Sequence, residues 1–192
     1  EGGIMDTDGH IREKEERTFS AADRIVAEVK NRTQAAGKII LFGHSAGGQF
    51  VHRWALLGGK KNVDVIAVAN SGWFTMPDRD IDYPYGIKNV GITDEELGEA
   101  FAEPVILFMG EKDVERKPPF RDTPEADAQG MNRMERCTNY FRQCKAKAEE
   151  LKVPFRWKLE TVEGVAHQGV KMAEGAAAYI FRKSSENGNR RV

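Results

Sequence analysis

The first sign of chemistry in this sequence is a serine between two glycines, at the junction of an apolar run and a helix-compatible segment. The apolar residues 39–42 lead into residues 43–47, which read Gly-His-Ser-Ala-Gly, and a helix-compatible stretch follows over 49–57. This G-x-S-x-G pattern, set between a buried strand and a helix, holds a nucleophilic serine at a sharp turn. The turn is strained, and a Cβ atom at either glycine would crowd it. We therefore predict that Ser45 is a nucleophile.

The residues around Ser45 have predicted roles of their own. The following helix presents its N-terminus to developing negative charge, and the backbone N–H of Ala46 is the expected oxyanion donor. His44 fills the variable position of the motif, and we assign it to the substrate pocket rather than to catalysis. His52, on a flank of the helix, is expected to be structural or solvated.

A serine nucleophile needs a base, and the base needs an acid that orients it. The buried-strand run 104–110 is followed by Asp113, and the run 155–162 is followed by His167. Each lies just beyond the carboxyl end of a strand, where open α/β sheets place their chemistry, in the order Ser, acid, His that this architecture uses. We predict a catalytic triad of Ser45, Asp113 and His167. Glu111 is the alternative acid.

The elements that must position these residues alternate along the chain. Apolar residues at helical spacing predict helices over 18–36, 131–151 and 170–181, and a continuous apolar run predicts a buried strand over 63–69. Together with the strands around the triad, this alternation predicts an α/β fold, a three-layer α/β/α sandwich with a mainly parallel sheet.

Length and composition are those of one ordinary globular domain. The chain has 192 residues, 40% of them hydrophobic, and a net charge of −1, which favours neither nucleic-acid binding nor binding to an anionic membrane. The sequence contains no apolar run near the roughly 20 residues of a membrane span. We expect a single domain over residues 1–183 and a polar tail over 184–192.

A long excursion over residues 73–103 leaves the strand 63–69 at the same edge of the sheet as Ser45. It carries aromatic residues that we assign to the wall or partial lid of a substrate pocket for an apolar acyl or alcohol group. They are Trp73, Phe74, Tyr83 and Tyr85. The alternative is a surface loop held down by its own aromatic side chains. The residues Thr93-Asp94-Glu95-Glu96 predict a capping box that opens a short helix within the excursion.

A second long loop, over residues 114–130, follows Asp113 and is basic. Its cations Arg116, Lys117 and Arg121 could contact a carboxylate on a substrate, although a solvated face is the simpler interpretation.

The sequence predicts neither a metal site nor a disulfide. Residues 6–9, Asp-Thr-Asp-Gly, fit a simple turn better than a calcium loop, because the first ligand position would be occupied by Ile4. Cys137 and Cys144 are seven residues apart on one predicted helix, a spacing of about 10 Å, too far for a disulfide. We expect both to be buried as small apolar side chains.

These residues resemble the α/β-hydrolases, and within them the poly(3-hydroxybutyrate)-depolymerase-like or esterase-like branch. The resemblance covers nearly the whole chain. It rests on the segments 43–53, 69–78, 83–86, 123–127 and 164–167. It implies serine-dependent hydrolysis of carboxylic esters, with Ser45 as nucleophile, Asp113 as acid and His167 as base, and it implies no metal and no organic cofactor.

The resemblance also implies that strands are missing. The family's first strands and its oxyanion loop precede the nucleophile strand, whereas only 37 residues precede Lys38 here. We therefore expect that the chain is the carboxyl-terminal portion of a longer protein, whose preceding part supplies an edge strand and the second oxyanion donor. If the chain is complete, we expect instead that it forms a dimer across the exposed sheet edge or that it is a poor catalyst.

The predicted activity is hydrolysis of a small-molecule or polymeric ester through an acyl-enzyme. Two alternatives remain open. A peptidase or amidase would use the same triad, and a non-catalytic binding protein would keep the fold without the chemistry.

Overall fold

Four parallel strands form the central sheet, and they lie in the same order in space as in the chain. The computed structural model describes residues 3–33, 37–58 and 62–188 of the protein. Its strands are β1 (Ile40–His44), β2 (Val65–Ala69), β3 (Val105–Gly110) and β4 (Lys158–Val162). In the register, Ile40 pairs with Val65, Ile66 with Val105, and Ile106 with Lys158. Because neighbouring strands are parallel, every connection crosses over the sheet, and all four carboxyl ends meet at one edge.

The helices cover both faces of this sheet. They are α1 (Thr18–Thr33), α2 (Ala46–Leu57), α3 (Asp94–Ala102), α4 (Pro124–Asp127), α5 (Arg133–Leu151) and α6 (Gly169–Gly188), with a 3-10 turn at Lys14–Glu16. On one face α2 packs on β1 and β2, α5 packs on β3, and α3 contacts both of these helices. On the other face α6 contacts β1, β3 and β4. The predicted three-layer α/β/α arrangement is confirmed.

The apolar runs of β2 and β3 are explained by burial on both faces. Along β3, Leu107 points into the core under α2 and α5, whereas Ile106 and Phe108 point into the core under α6. Side chains alternate between the two faces of a strand, so a strand covered on both faces is apolar throughout.

Within the described part of the chain, β1 is an edge strand that pairs only with β2. Ile40, Leu41 and Phe42 are half-buried, although their run is as apolar as that of an inner strand. The expectation that another strand or a second copy covers this edge stays a prediction.

Several element boundaries differ from those that the sequence predicts. The helix α2 begins at Ala46, directly after Ser45, because the turn needs no linker before the helix. The helix α1 ends at Thr33, and position 36 lies outside the described residues. The helix α6 continues to Gly188, into the segment expected to be a polar tail, and residues 189–192 are not described.

Local sequence signals explain three of the remaining elements. The capping box at α3 is confirmed, because Thr93 Oγ1 accepts from the Glu96 N–H (3.2 Å) and Glu96 Oε2 accepts from the Thr93 N–H (2.9 Å). The turn near the N-terminus is also confirmed, with Asp6 Oδ1 accepting from the N–H of Asp8 and of His10. The short helix α4, inside the loop expected to be irregular, begins with Pro124 at its first position.

The excursion between β2 and β3 is part of the core rather than a separate flap. Its residues Met76, Ile87, Val90 and Ile92 are buried together with Leu97 of α3. No described helix is both long and apolar enough to span a membrane.

Cys137 and Cys144 are free and buried, as expected. Burial raises the pKa of both thiols, so neither is suited to act as a nucleophile.

His52 anchors the excursion to α2. Its side chain is fully buried, its Nδ1 donates to the Gly48 carbonyl (3.1 Å), and its Nε2 accepts from the Thr75 N–H (3.0 Å). Accepting at Nε2 requires the neutral imidazole. Burial, followed by the positive charge of Arg53, holds the pKa of His52 well below its usual value of 6.5. The expectation that His52 is structural is confirmed.

We predict that this buried histidine makes stability fall in mild acid. Below pH ~6.5 the unfolded chain binds a proton that the folded His52 resists, so the free energy of unfolding decreases as the pH falls. In His52→Gln this contribution disappears, so the free energy of unfolding should decrease less steeply as the pH falls. The slope should differ by at most about 1.4 kcal/mol per pH unit, which is the largest effect that the binding of one proton can have. Urea unfolding at several pH values between 5 and 8 measures it.

The matched control is His10→Gln, since His10 is exposed on the N-terminal turn. The prediction is wrong if His52→Gln and the wild-type protein lose stability with the same slope.

Candidate active site

The backbone at Ser45 has the strained conformation that the motif predicts. Ser45 lies between the last residue of β1 and the first residue of α2, with φ +55° and ψ −117°. A residue with a Cβ rarely adopts this region. Two hydrogen bonds hold it there: the Ser45 N–H donates to the Ala69 carbonyl (3.0 Å), and its carbonyl accepts from the Gln49 N–H (2.9 Å).

The glycines around the turn are only partly those that the sequence indicated. A Cβ at Gly43 would lie 2.4 Å from the Gly47 carbonyl oxygen, so glycine is required there. At Gly47 no described atom beyond its chain neighbours and the backbone of α2 itself lies within 4 Å of the Cβ position, so the predicted crowding there is wrong. The second tight position is Gly48, whose Cβ would lie 2.6 Å from Ser71 Oγ, because α2 passes close to the end of β2.

The structure brings Ser45, Asp113 and His167 into one hydrogen-bonded chain. His167 Nε2 lies 3.0 Å from Ser45 Oγ, and His167 Nδ1 lies 2.7 Å from Asp113 Oδ2. With its proton on Nδ1, the imidazole donates to Asp113 and keeps Nε2 free to accept the serine proton. This arrangement can activate a hydroxyl for attack on a carbonyl.

Two further predicted residues adjoin this chain. Ala46 opens α2, so its N–H belongs to the first-turn donors that have no intrahelical acceptor, as the oxyanion prediction requires. The His44 ring lies 4.7 Å from that of His167, beside the base but outside the triad. Partial burial, followed by the charge of a protonated His167, lowers the pKa of His44.

Glu111, the alternative acid, does not reach the imidazole. Its Oε2 accepts from the Gly164 N–H (2.7 Å), in the loop between β4 and His167. The neighbouring Lys112 N–H donates to the Val165 carbonyl (2.8 Å). Glu111 therefore joins the acid loop to the histidine loop.

Asn70 makes a second connection between these loops, and no sequence pattern assigned it a role. It lies just after β2 with φ +46°, a left-handed conformation that asparagine tolerates better than most residues. Its Oδ1 accepts from the Gly110 N–H (2.7 Å), and its Nδ2 donates to the Ala166 carbonyl (3.1 Å). One side chain thus fixes the backbone before Asp113 and the residue before His167. An asparagine directly after a buried strand is the only sequence signal for it.

A buried arginine is the other residue that sequence reasoning missed. Arg133 Nη1 donates to Asp113 Oδ1 (3.1 Å), and the two side chains are 6% and 2% exposed. The arginine comes from the start of α5, 20 positions along the chain, so no local pattern could link it to the acid.

The four aromatic residues assigned to the pocket differ in how deeply they are buried and in what they pack against. Phe74 is fully buried and stacks on Tyr140 at 4.5 Å in the core, so its assignment to the pocket is wrong. Trp73 and Tyr85 pack against each other at 4.7 Å and are 3% and 8% exposed. Tyr83 is half-buried against the core. A substrate contact by Trp73, Tyr83 or Tyr85 stays a prediction.

The cations of the basic loop are mostly paired. Arg116 makes a two-point ion pair with Asp127, at 3.0 and 2.9 Å, and Lys117 pairs with Glu115 at 2.9 Å. Arg121 differs, because its Nε donates to the Tyr85 hydroxyl (2.6 Å) and its guanidinium lies over the rings of Tyr85 and Trp73.

Two solved structures share both this fold and a substantial part of its sequence. Poly(aspartic acid) hydrolase-1 from Sphingomonas sp. KT-1 is 33% identical, with a TM-score of 0.85 over 91% of this chain and 67% of its own. LpqC, a poly(3-hydroxybutyrate) depolymerase from Bordetella parapertussis, is 31% identical, with a TM-score of 0.88 over 95% of this chain and 62% of its own.

The chain therefore spans about two thirds of the length of these relatives. No protein-family model matches it, and no curated protein does. Because both relatives exceed 30% identity and share the parallel sheet and its flanking helices, the chain belongs to the α/β-hydrolases.

Proposed function

We propose that this protein is a serine hydrolase that cleaves carboxylic esters through an acyl-enzyme. The observation that carries the proposal is the hydrogen-bonded chain from Ser45 Oγ through His167 to Asp113, with distances of 3.0 and 2.7 Å. The three side chains come from the carboxyl ends of three different parallel strands, so the sheet itself keeps them in place.

The reaction follows from this geometry. His167 Nε2 takes the proton of Ser45 as Oγ attacks the ester carbonyl, and Asp113 stabilises the imidazolium that forms. The N–H of Ala46 stabilises negative charge on the carbonyl oxygen. The imidazolium then gives its proton to the departing alcohol, which leaves an acyl group on Ser45. Water, activated by the same imidazole, releases the acid and restores the serine.

An ester substrate is supported by the similarity to a poly(3-hydroxybutyrate) depolymerase at 31% identity. The predicted pocket residues Trp73 and Tyr85 pack together with Ala126 in a small apolar cluster, and contact between this cluster and an acyl or alcohol group is part of the proposal. Either a small ester or a polyester fits this proposal.

A second candidate is hydrolysis of amide bonds in an anionic polymer. It is favoured by the similarity to a poly(aspartic acid) hydrolase at 33% identity and by the position of Arg121. Arg121 is exposed, and stacking on Trp73 (4.9 Å) holds its guanidinium in place. Neither of its Nη atoms has a hydrogen-bond or ion-pair partner among the residues that the structure describes. A stacked guanidinium with free donors is suited to bind a carboxylate.

Ser45→Ala should abolish both hydrolysis of p-nitrophenyl acetate and covalent labelling by a fluorophosphonate probe, because the attacking oxygen is removed. Asp113→Asn should lower turnover by about 10⁴, since it favours the wrong histidine tautomer. Steady-state rates and intact mass after labelling measure both effects.

Ser20→Ala, in α1, is the control for these variants. Labelling of Ser45→Ala at the wild-type rate would place the nucleophile elsewhere. A wild-type protein that is neither labelled nor active would favour the non-catalytic alternative.

Arg121→Gln should separate the two substrate classes. Loss of a charge-assisted hydrogen bond predicts a fall in kcat/KM of about tenfold or more for poly(aspartic acid) or a succinate monoester. Hydrolysis of neutral p-nitrophenyl acetate should be unchanged. The control is Arg116→Gln, because that guanidinium is already paired with Asp127. An equal loss with charged and neutral substrates would contradict an anionic subsite.

A further inference from the structure

The acid of the triad is bound at both of its oxygens. Asp113 Oδ2 accepts from His167, and Oδ1 accepts from Arg133 Nη1 at 3.1 Å. The carboxylate is 2% exposed and the guanidinium 6%, so water does not compete for this pair. Two donors on opposite oxygens fix the rotation of the carboxylate about its Cβ–Cγ bond.

The surroundings of Arg133, apart from Asp113, do not explain why a positively charged side chain is buried there. It is the first residue of α5, where the helix dipole disfavours a positive charge. Its Nε is buried and has no hydrogen-bond partner within the described ranges. Its guanidinium lies 5.0 Å from the Phe120 ring, and a long contact of 3.4 Å joins Nη1 to the Glu115 carbonyl. Burying a cation on these terms is unfavourable unless an anion compensates, and Asp113 is that anion.

A neighbouring arginine shows what a purely structural guanidinium looks like here. Arg136, on the same helix, is fully buried, and each of its three nitrogens has a partner. The acceptors are the carbonyls of Gly130, Gly72 and Arg121 and the carboxylate of Asp127. These bonds join the basic loop to the excursion. Arg133 makes no comparable set of contacts, and its strongest partner is the triad acid.

We propose that Arg133 is a positioning residue of the triad, which orients the Asp113 carboxylate, offsets part of its charge and thereby sets the pH at which His167 becomes a base. This inference rests on the proposed function for the role of His167 as general base. Its test includes a measurement that does not depend on turnover.

Of the arginines and lysines that the structure describes, Arg133 is the one that pairs with the acid of the triad. Asp113 faces the imidazole from the loop after β3, and His44 faces it from the end of β1. Arg133 lies behind Asp113 on α5, and α6 begins beside His44 with a glycine. The Glu111 carboxylate is bound to a backbone N–H of the loop before His167.

The sign of the effect follows from these charges. The negative charge of Asp113 stabilises the imidazolium form of His167, and the positive charge of Arg133 opposes that stabilisation. Without Arg133 the imidazolium persists to higher pH. The neutral imidazole, which is the form that can accept the serine proton, is then populated only at a higher pH than in the wild-type protein.

The test is an NMR titration of the histidine rings in the wild-type protein, Arg133→Met and Arg133→Lys. The chain has four histidines, so the signal of His167 can be assigned by substitution. In Arg133→Met we expect its titration midpoint to rise by about one pH unit. In Arg133→Lys, which keeps the charge, we expect a midpoint within about 0.3 units of the wild-type value.

The same variants are then compared in ester hydrolysis. In Arg133→Met the acidic limb of the pH–rate profile should move in parallel with the titration, and kcat should fall about tenfold with KM nearly unchanged. The matched control is Arg116→Met, which removes a guanidinium at 4.9 Å from the same Phe120 ring but does not contact Asp113. Its titration midpoint should equal that of the wild-type protein.

The inference is overturned if the His167 midpoint in folded Arg133→Met equals that of the wild-type protein. It is also overturned if the His167 midpoint in Arg133→Lys shifts as far as in Arg133→Met. If Arg133→Met does not fold, Arg133→Gln replaces it with the same expected shift and the same overturning result. A wild-type protein without ester turnover would reject the proposed function, and the titration would still decide whether Arg133 acts on His167.

Discussion

The backbone conformation of Ser45 is the constraint on which the rest of this structure depends. Its φ of +55° places a residue with a Cβ in a region that costs on the order of 1–3 kcal/mol to occupy. The carbonyl of Ala69 at the end of β2 accepts the Ser45 N–H, and α2 begins at the next residue. The start of α2 must therefore lie close to the ends of both β1 and β2. A Cβ at Gly43 would meet the Gly47 carbonyl of α2, and a Cβ at Gly48 would meet the Ala69 carbonyl of β2.

The same close approach continues through the layer above the sheet. The Gly48 carbonyl accepts from His52, and His52 in turn accepts from the Thr75 N–H of the excursion. The excursion is thereby fixed to the helix that carries the nucleophile. On its other side, Arg136 joins the Gly72 carbonyl to the loop that follows the acid. These hydrogen bonds link the helix that follows the strained serine to the excursion, and the excursion to the loop after the acid.

The sequence predicts well those features that depend on local pattern. Continuous apolar runs located β1, β2 and β3, and the capping box at Thr93 located α3. The run 155–162 located β4, although charged residues alternate with apolar ones there and the strand is half-buried to exposed rather than buried. Ser45, Asp113 and His167 could be placed near each other because parallel strands share one carboxyl edge, and the structure brings them within hydrogen-bond distance.

What the sequence did not predict depends on contacts between distant segments. Arg133 reads as one more basic residue of a helix, and its pairing with Asp113 exists only once α5 has packed on β3. Phe74 reads as one of several aromatics near a site, and only the packing of Tyr140 against it shows that it belongs to the core. Gly47 and Gly48 are indistinguishable by type. Glycine is required at position 48 because the Ala69 carbonyl would lie 2.8 Å from a Cβ there.

The bridge made by Asn70 couples the opening of two loops. Its amide holds the Gly110 N–H of the acid loop and the Ala166 carbonyl of the histidine loop at the same time. The Glu111 carboxylate on the Gly164 N–H and the Lys112 N–H on the Val165 carbonyl join the same two loops. Because neither loop can move away without breaking contacts to the other, we expect the acid and the base to lose their alignment together rather than one by one. The site then behaves as a single cooperative unit in local unfolding.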